Sequence, residues 1–147
     1  MTNMVSIITP LYNSEEFINS TIQSVLSQTY LSWEMIVVDD ASIDNGCLIV
    51  EKYSKLDSRI HLYKLSKNRG SAYARNYAIK KAKGRFLAFL DSDDLWHPEK
   101  LNYQINFMLN NNYAFSFTSY NKINESGLNL GFVNIKERII NYSNLLY

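Results

Sequence analysis

Four short apolar runs recur along this chain, and stretches with helical periodicity lie between them. Residues 5–9 (VSIIT), 34–39 (EMIVVD), 60–65 (IHLYKL) and 85–90 (RFLAFL) have the length and the β-branched or aromatic content of strands. The two richest in Val and Ile are apolar almost throughout, which marks strands buried on both faces rather than on one. The segments between them read as helices. Residues 15–27 put Ile18, Ile22, Val25 and Leu26 on one face, with Asn13 and Ser14 placed to cap the first turn. Residues 45–55 carry a weaker pattern. Residues 71–83 are rich in alanine and close at Gly84. Pro98 opens a helix to about Leu109, whose Tyr103 and Phe107 stand at helical spacing and are assigned to the core.

Strand and helix in alternation specify a parallel sheet covered by helices. The expected fold class is therefore α/β, a mostly parallel central sheet with helices on both faces. Residues 113–120 read as a fifth strand and residues 125–127 as a turn. Residues 139–146 read as the start of a further helix. A chain of 147 residues, 46% hydrophobic and 20% charged, suits one domain with a real core, so residues 1–147 are expected to form a single unit.

Composition removes several functions. A formal net charge of +1 gives no electrostatic case for nucleic acid. Cys47 is the only cysteine, so neither an intramolecular disulfide nor a multi-cysteine metal site can form, which fits a reducing compartment. Residues 1–4 lead straight into a strand-like run without the basic and apolar regions of a signal peptide. No Walker A loop and no Gly-x-Gly-x-x-Gly is present. His61 and His97 lack metal-ligand spacing and read as structural.

In open α/β sheets, ligands bind outside the carboxyl ends of the strands. Here those ends carry Pro10 to Asn13, Asp39 to Ser42, Ser66 to Gly70 and Asp91 to Asp94. They should meet on one edge and crowd several aspartates into one crevice, where a divalent cation would relieve their repulsion. Asp91-Ser92-Asp93 is the strongest signal, since magnesium or manganese takes one or two carboxylates plus phosphate oxygens and water. The bland alternative is that Asp93 or Asp94 caps the next turn. Asp39-Asp40 offers either a carboxylate for a base N–H or an Asx-turn. Gly70 permits a tight turn into a helix whose N-terminus attracts anions. Arg75 either offsets the acidic cluster or touches a ligand.

Together the segments VSIITPLYN, SVLSQTY, WEMIVVDDASID, NRGSAYARNYAI and KGRFLAFLDSDDLWHPEKL resemble family 2 glycosyltransferases of the GT-A fold, in that family's order. The likeness covers about residues 4–127 as a donor-binding part, with 128–147 as an incomplete tail. The resemblance implies metal-dependent, inverting transfer from a nucleoside diphosphate sugar, commonly a UDP-sugar, to a glycan or lipid-linked acceptor. It implies that Pro10 and Tyr12 line the nucleotide pocket, that Asp40 holds the base, and that Asn68 and Gly70 lie in the loop beside it. Asp91 and Asp93 would form the Asp-x-Asp motif that binds Mn2+ or Mg2+, with Asp93 the direct ligand. The family's general base lies well beyond that motif, and neither Glu125 nor Glu137 has its context. A C-terminally incomplete fold is therefore expected, with the base past the chain end. Uncovered apolar surface would then favour a homo-oligomer. A lipid-linked acceptor would bring a cytoplasmic protein to the inner membrane face. Two alternatives remain: a non-catalytic nucleotide-sugar-binding domain or subunit, and a nucleotidyltransferase-like enzyme, for which a Gly-rich, Lys-containing loop is missing.

Overall fold

The computed structural model describes residues 3–124 and 126–135. The elements run β1 (Val5–Leu11), α1 (Ile18–Leu26), β2 (Trp33–Asp39), α2 (Gly46–Leu56), β3 (Ile60–Lys64), α3 (Ser71–Ile79), β4 (Phe86–Phe89), α4 (Lys100–Asn111), β5 (Tyr120–Ile123) and β6 (Asn129–Val133). The chain divides into two compact units, one ending at Ile105 and the other beginning at Asn106.

In the first unit the four predicted strands form one wholly parallel sheet in the order β3-β2-β1-β4. Every residue of β1 and β2 is buried, as their continuous apolar runs require. One face packs Val5, Ile7, Leu11, Met35 and Val37 against Ile18, Ile22 and Val25 of α1, Val50 of α2, and Leu101 and Ile105 of α4. The other face packs Ile8, Ile36 and Val38 against Ala74 and Ala78 of α3. Each fully buried aliphatic side chain contributes about 1.5–3 kcal/mol. Helices thus cover both faces, as expected for the α/β class.

The order matters more than the count. From β1 the chain winds outward to β2 and β3, then crosses back along α3 to place β4 on the other side of β1. β4 is an edge strand of this sheet, with Leu87 43% and Phe89 54% exposed.

Polar residues pin the amino end of the sheet. Glu34 is 5% exposed, and its Oε1 accepts bonds from Ser6 Oγ at 2.6 Å and from the Lys83 amide at 2.7 Å. His61 Nε2 lies 3.5 Å from Glu34 Oε2, a structural role as expected. Gly84 donates its amide to Ser6 Oγ at 2.8 Å. It does not close α3, which ends at Ile79 with Lys80 as its C-cap. A Cβ on Gly84 would stand 2.6 Å from the Ser6 nitrogen and 2.7 Å from the Met4 oxygen, so close backbone approach demands the glycine.

Other local readings need correction. Tyr103 and Phe107 are 66% and 42% exposed, while Leu101 and Ile105 supply the buried stripe of α4. Phe107 instead meets the Tyr113 ring at 5.4 Å. The strand expected over residues 113–120 is absent up to Ser119: this stretch has strand-like composition but no ladder partner among the described residues. Only Tyr120 onward pairs, in an antiparallel two-stranded sheet of β5 and β6. The helix expected over 139–146, and Glu125 and Glu137, lie outside the described residues.

Replacing Gly84 by alanine is expected to destabilise the protein by about 1–3 kcal/mol, because the obstacle is backbone. Urea unfolding checks this; a midpoint equal to wild type would refute the close approach.

Candidate donor site

A cavity of about 470 Å³ opens where the strand order reverses, lined by the end of β1 and the residues after it, by residues that follow β3 and β4, by the start of α3, and by Asp40 just past β2. Its volume suits a small-molecule ligand. Pro10, Tyr12, Asp40, Asn68, Gly70, Asp91 and Asp93, singled out from the sequence, all line it.

Local chemistry explains how β1 opens the crevice. Its pairing with β4 stops at Ile8–Phe89. Pro10 lies just past that ladder, where a missing N–H costs no sheet bond. Beyond it Tyr12 is 48% exposed.

Side chains from distant segments then lock the rim together. The Asn13 amide donates to Ser42 Oγ at 3.1 Å, and Asn13 Oδ1 accepts from the Ile43 amide at 3.0 Å. Ser14 Oγ and Ser92 Oγ share a hydrogen bond of 2.8 Å, and Thr21 Oγ1 donates to the Ser92 carbonyl at 2.9 Å. Asn13 and Ser14 therefore do not cap α1, which begins at Ile18 without a side-chain cap. Asp39 closes the turn after β2 with a bond one residue longer than an Asx-turn, accepting from the Ser42 amide three residues on at 3.2 Å. Asp40 reaches across to the next loop: its two oxygens accept from the Arg69 amide at 2.8 Å and the Gly70 amide at 2.7 Å. Gly70 opens α3 at φ 87°, a conformation that favours glycine.

The acidic wall is only partly compensated. Arg75 of α3 pairs with Asp91 Oδ1 at 2.5 Å and donates to Ser71 Oγ at 3.3 Å. Burial raises the carboxyl of Asp94 above the usual carboxylate range, and the charges of Asp93 and then Asp91 raise it further, against the pull of Lys100. Burial also pushes the Lys100 ammonium below its ordinary value. Negative potential thus accumulates beside Asp91 and Asp93. The donor set is all oxygen, which fits Mg2+ or Mn2+ sharing its shell with phosphate and water. The described residues hold no group of three or more His, Cys, Asp or Glu able to cage an ion by themselves. Ser14, Ser71 and Ser92 also line the cavity but were not assigned to the site from the sequence. Each adjoins a motif that was, and small polar residues carry no signal alone.

The family profile of glycosyl transferase family 2 matches residues 6–144. Among characterised relatives, the Escherichia coli UDP-Glc:alpha-D-GlcNAc-diphosphoundecaprenol beta-1,3-glucosyltransferase WfgD is 48% identical over 143 residues, covering 97% of this chain and 55% of its own length. The solved structure of Staphylococcus aureus TarS 1-349 in complex with UDP superposes with a TM-score of 0.68 at 36% identity, covering 73% of this chain and 32% of that one. The Pyrobaculum calidifontis mannosyltransferase PcManGT, in complex with GDP-Man and Mn2+, superposes at 0.67 with 28% identity, over 71% and 32%. The chain spans about half the length of the curated relatives it matches.

The acidic wall predicts a titration. Asp93→Asn should move the Asp94 carboxyl downward, toward its ordinary range, and so should Mn2+ added to wild type; carbon-detected NMR of the carboxyl groups reads both. The folded state holds the Asp94 proton more tightly than the unfolded chain does. Ionising Asp94 therefore lowers stability as pH rises from about 3.9 through the folded value, and it costs nothing below that window. An Asp94 titration unmoved by either change would show that the aspartates do not share one field.

Proposed function

The chain belongs to glycosyl transferase family 2, and from that premise we propose that it forms the donor side of a metal-dependent transferase acting on a nucleoside diphosphate sugar. One observation carries the reading: the loops after β1, β3 and β4, with Asp40 beyond β2, converge on a single cavity that offers an aromatic ring, a helix N-terminus and two aspartates. The base lies against Pro10 and Tyr12. The Arg69 and Gly70 amides are taken by Asp40, so the diphosphate lies at the first turn of α3 beyond them, where the helix amides from Ser71 onward and the helix dipole favour an anion. Arg75 holds Asp91 in place beside it. Asp93, exposed on the same wall, ligates Mn2+ or Mg2+, with Asp91 next to it. Such a cation supplies charge neutralisation for the departing diphosphate.

A UDP-sugar is the donor in this proposal, supported by UDP in the TarS complex and by the printed donor of WfgD. The acceptor is a glycan or lipid-linked hydroxyl, supported by the diphosphoundecaprenol substrate that WfgD's name records. Its attack on the anomeric carbon with inversion needs a carboxylate base. We assign that base to none of the described residues. Among these, no helix is long and apolar enough to cross a membrane, and a lipid-linked acceptor would bring the protein to the inner membrane face.

Calorimetric titration of UDP tests the donor reading. Binding is expected only with Mn2+ or Mg2+ present, and Asp93→Ala should weaken it at least about tenfold through loss of a charged ligand. Equal affinity with and without metal would reject the metal site. UDP binding that survives Asp93→Ala at wild-type strength would place the cation elsewhere.

A further inference from the structure

The run from Leu90 to Glu99 joins β4 to α4 without a strand or helix of its own, and it carries Asp91 and Asp93. Its backbone polar groups have no ladder to satisfy them and need partners elsewhere. Thr21 and Ser24 of α1, with Gln28 just past its end, supply them as a polar stripe beside the apolar one of Ile18, Ile22 and Val25. Thr21 Oγ1 donates to the Ser92 carbonyl at 2.9 Å, and the Trp96 amide donates to Ser24 Oγ at 3.2 Å. Gln28 Nε2 donates to the His97 carbonyl at 2.8 Å, and its Oε1 accepts from the Leu101 amide at 3.1 Å. The buried Trp96 ring anchors the middle of the run in the core.

Of these contacts, the one made by Thr21 lies nearest the acidic wall. Ser92 stands between Asp91 and Asp93, and its carbonyl belongs to the peptide group that joins it to Asp93. Thr21 is 0% exposed, so no solvent stands ready to replace its hydroxyl. A helical threonine commonly turns its hydroxyl to the carbonyl four residues back. Here that carbonyl, of Phe17, stands 3.4 Å from Thr21 Oγ1, and the shorter bond goes to Ser92. From the other side Ser14 Oγ meets Ser92 Oγ at 2.8 Å. Ser92 is thus held from two directions. Asp93 is exposed, so its place is set by the backbone that carries it.

We infer that Thr21 is a positioning residue for the cation: it fixes the Ser92–Asp93 peptide, and through it the Asp93 carboxylate, without lining the cavity itself. The inference rests on the donor-site reading above and deepens it, by naming a residue of α1 on which that site depends. Groups that build a metal site must be held to within about 0.5 Å of their working geometry, and a buried hydroxyl bonded to the adjoining peptide does this.

The experiment titrates UDP with Mn2+ by calorimetry. Thr21→Val keeps the side-chain shape and removes the hydroxyl, whereas Thr21→Ser keeps the hydroxyl. Thr21→Val is expected to bind UDP about tenfold more weakly than wild type, and Thr21→Ser within about twofold of it. With Asp93→Asn already present, adding Thr21→Val should change the affinity by less than about twofold, because changes that act through one group are not additive. NMR without ligand reads the same bond. The Asp93 amide shares its peptide group with the Ser92 carbonyl, so its signal should move in Thr21→Val and return in Thr21→Ser. Should the valine variant fail to fold, Thr21→Ala and Thr21→Ser differ by the hydroxyl alone and carry the same comparison. Equal losses with and without Asp93 would reduce Thr21 to a purely structural role and overturn the inference, as would an Asp93 amide that does not move. Wild type that binds no UDP with Mn2+ would overturn the donor reading and this one with it, whereas wild-type binding that Thr21→Val leaves intact overturns this inference alone.

Discussion

A parallel sheet that winds first to one side of its initial strand and then to the other cannot close over the gap between the two directions. The loops leaving β1 and β4 turn to the same face and meet through Ser14 and Ser92, whereas the loop leaving β3 turns to the opposite face and into α3, and the cavity lies between them. The rest of the molecule follows from this reversal. The largely apolar faces of β1 and β2 hold α1, α2 and α4 on one side and α3 on the other. With both faces sealed, the carboxyl edge is where polar groups can gather without disrupting the core.

That edge is held by hydrogen bonds between segments far apart in the chain rather than by apolar packing. Ser14 meets Ser92, Asn13 meets the turn after β2, and Asp40 takes two amides from the turn before α3. Such bonds fix direction where hydrophobic contacts would only fix distance. Against this rigid frame, the charges are deliberately unbalanced. Arg75 answers Asp91, while burial, and then the charges of Asp93 and Asp91, raise the Asp94 carboxyl. A site that must admit a cation together with a diphosphate needs an excess of that sign.

The strands and the site were legible in the sequence for the same reason. A run such as WEMIVVD has to be buried on both faces, and the polar residues that follow it then have one place to go. Local capping was less legible. Asn13 and Ser14 look like helix caps to any reading of neighbours, but their partners lie 30 and 78 residues away. Gly84 looked like a helix stop because the contact that requires it, with Ser6, is equally remote. Residues 113–119 have the composition of a strand, yet a strand needs a partner as well as a composition. Tyr103 and Phe107 failed differently: the spacing was right, but Leu101 and Ile105 hold the face that turns to the core.

Everything proposed for this site depends on a nucleoside diphosphate binding at the reversal point through a cation held by Asp93. A crystal structure of the chain with UDP and Mn2+, using the anomalous signal of manganese, tests it most directly. An anomalous peak is expected about 2.1 Å from an Asp93 carboxylate oxygen, with the diphosphate between it and the first turn of α3. Ordered UDP outside this cavity, or manganese bound away from Asp93, would contradict it.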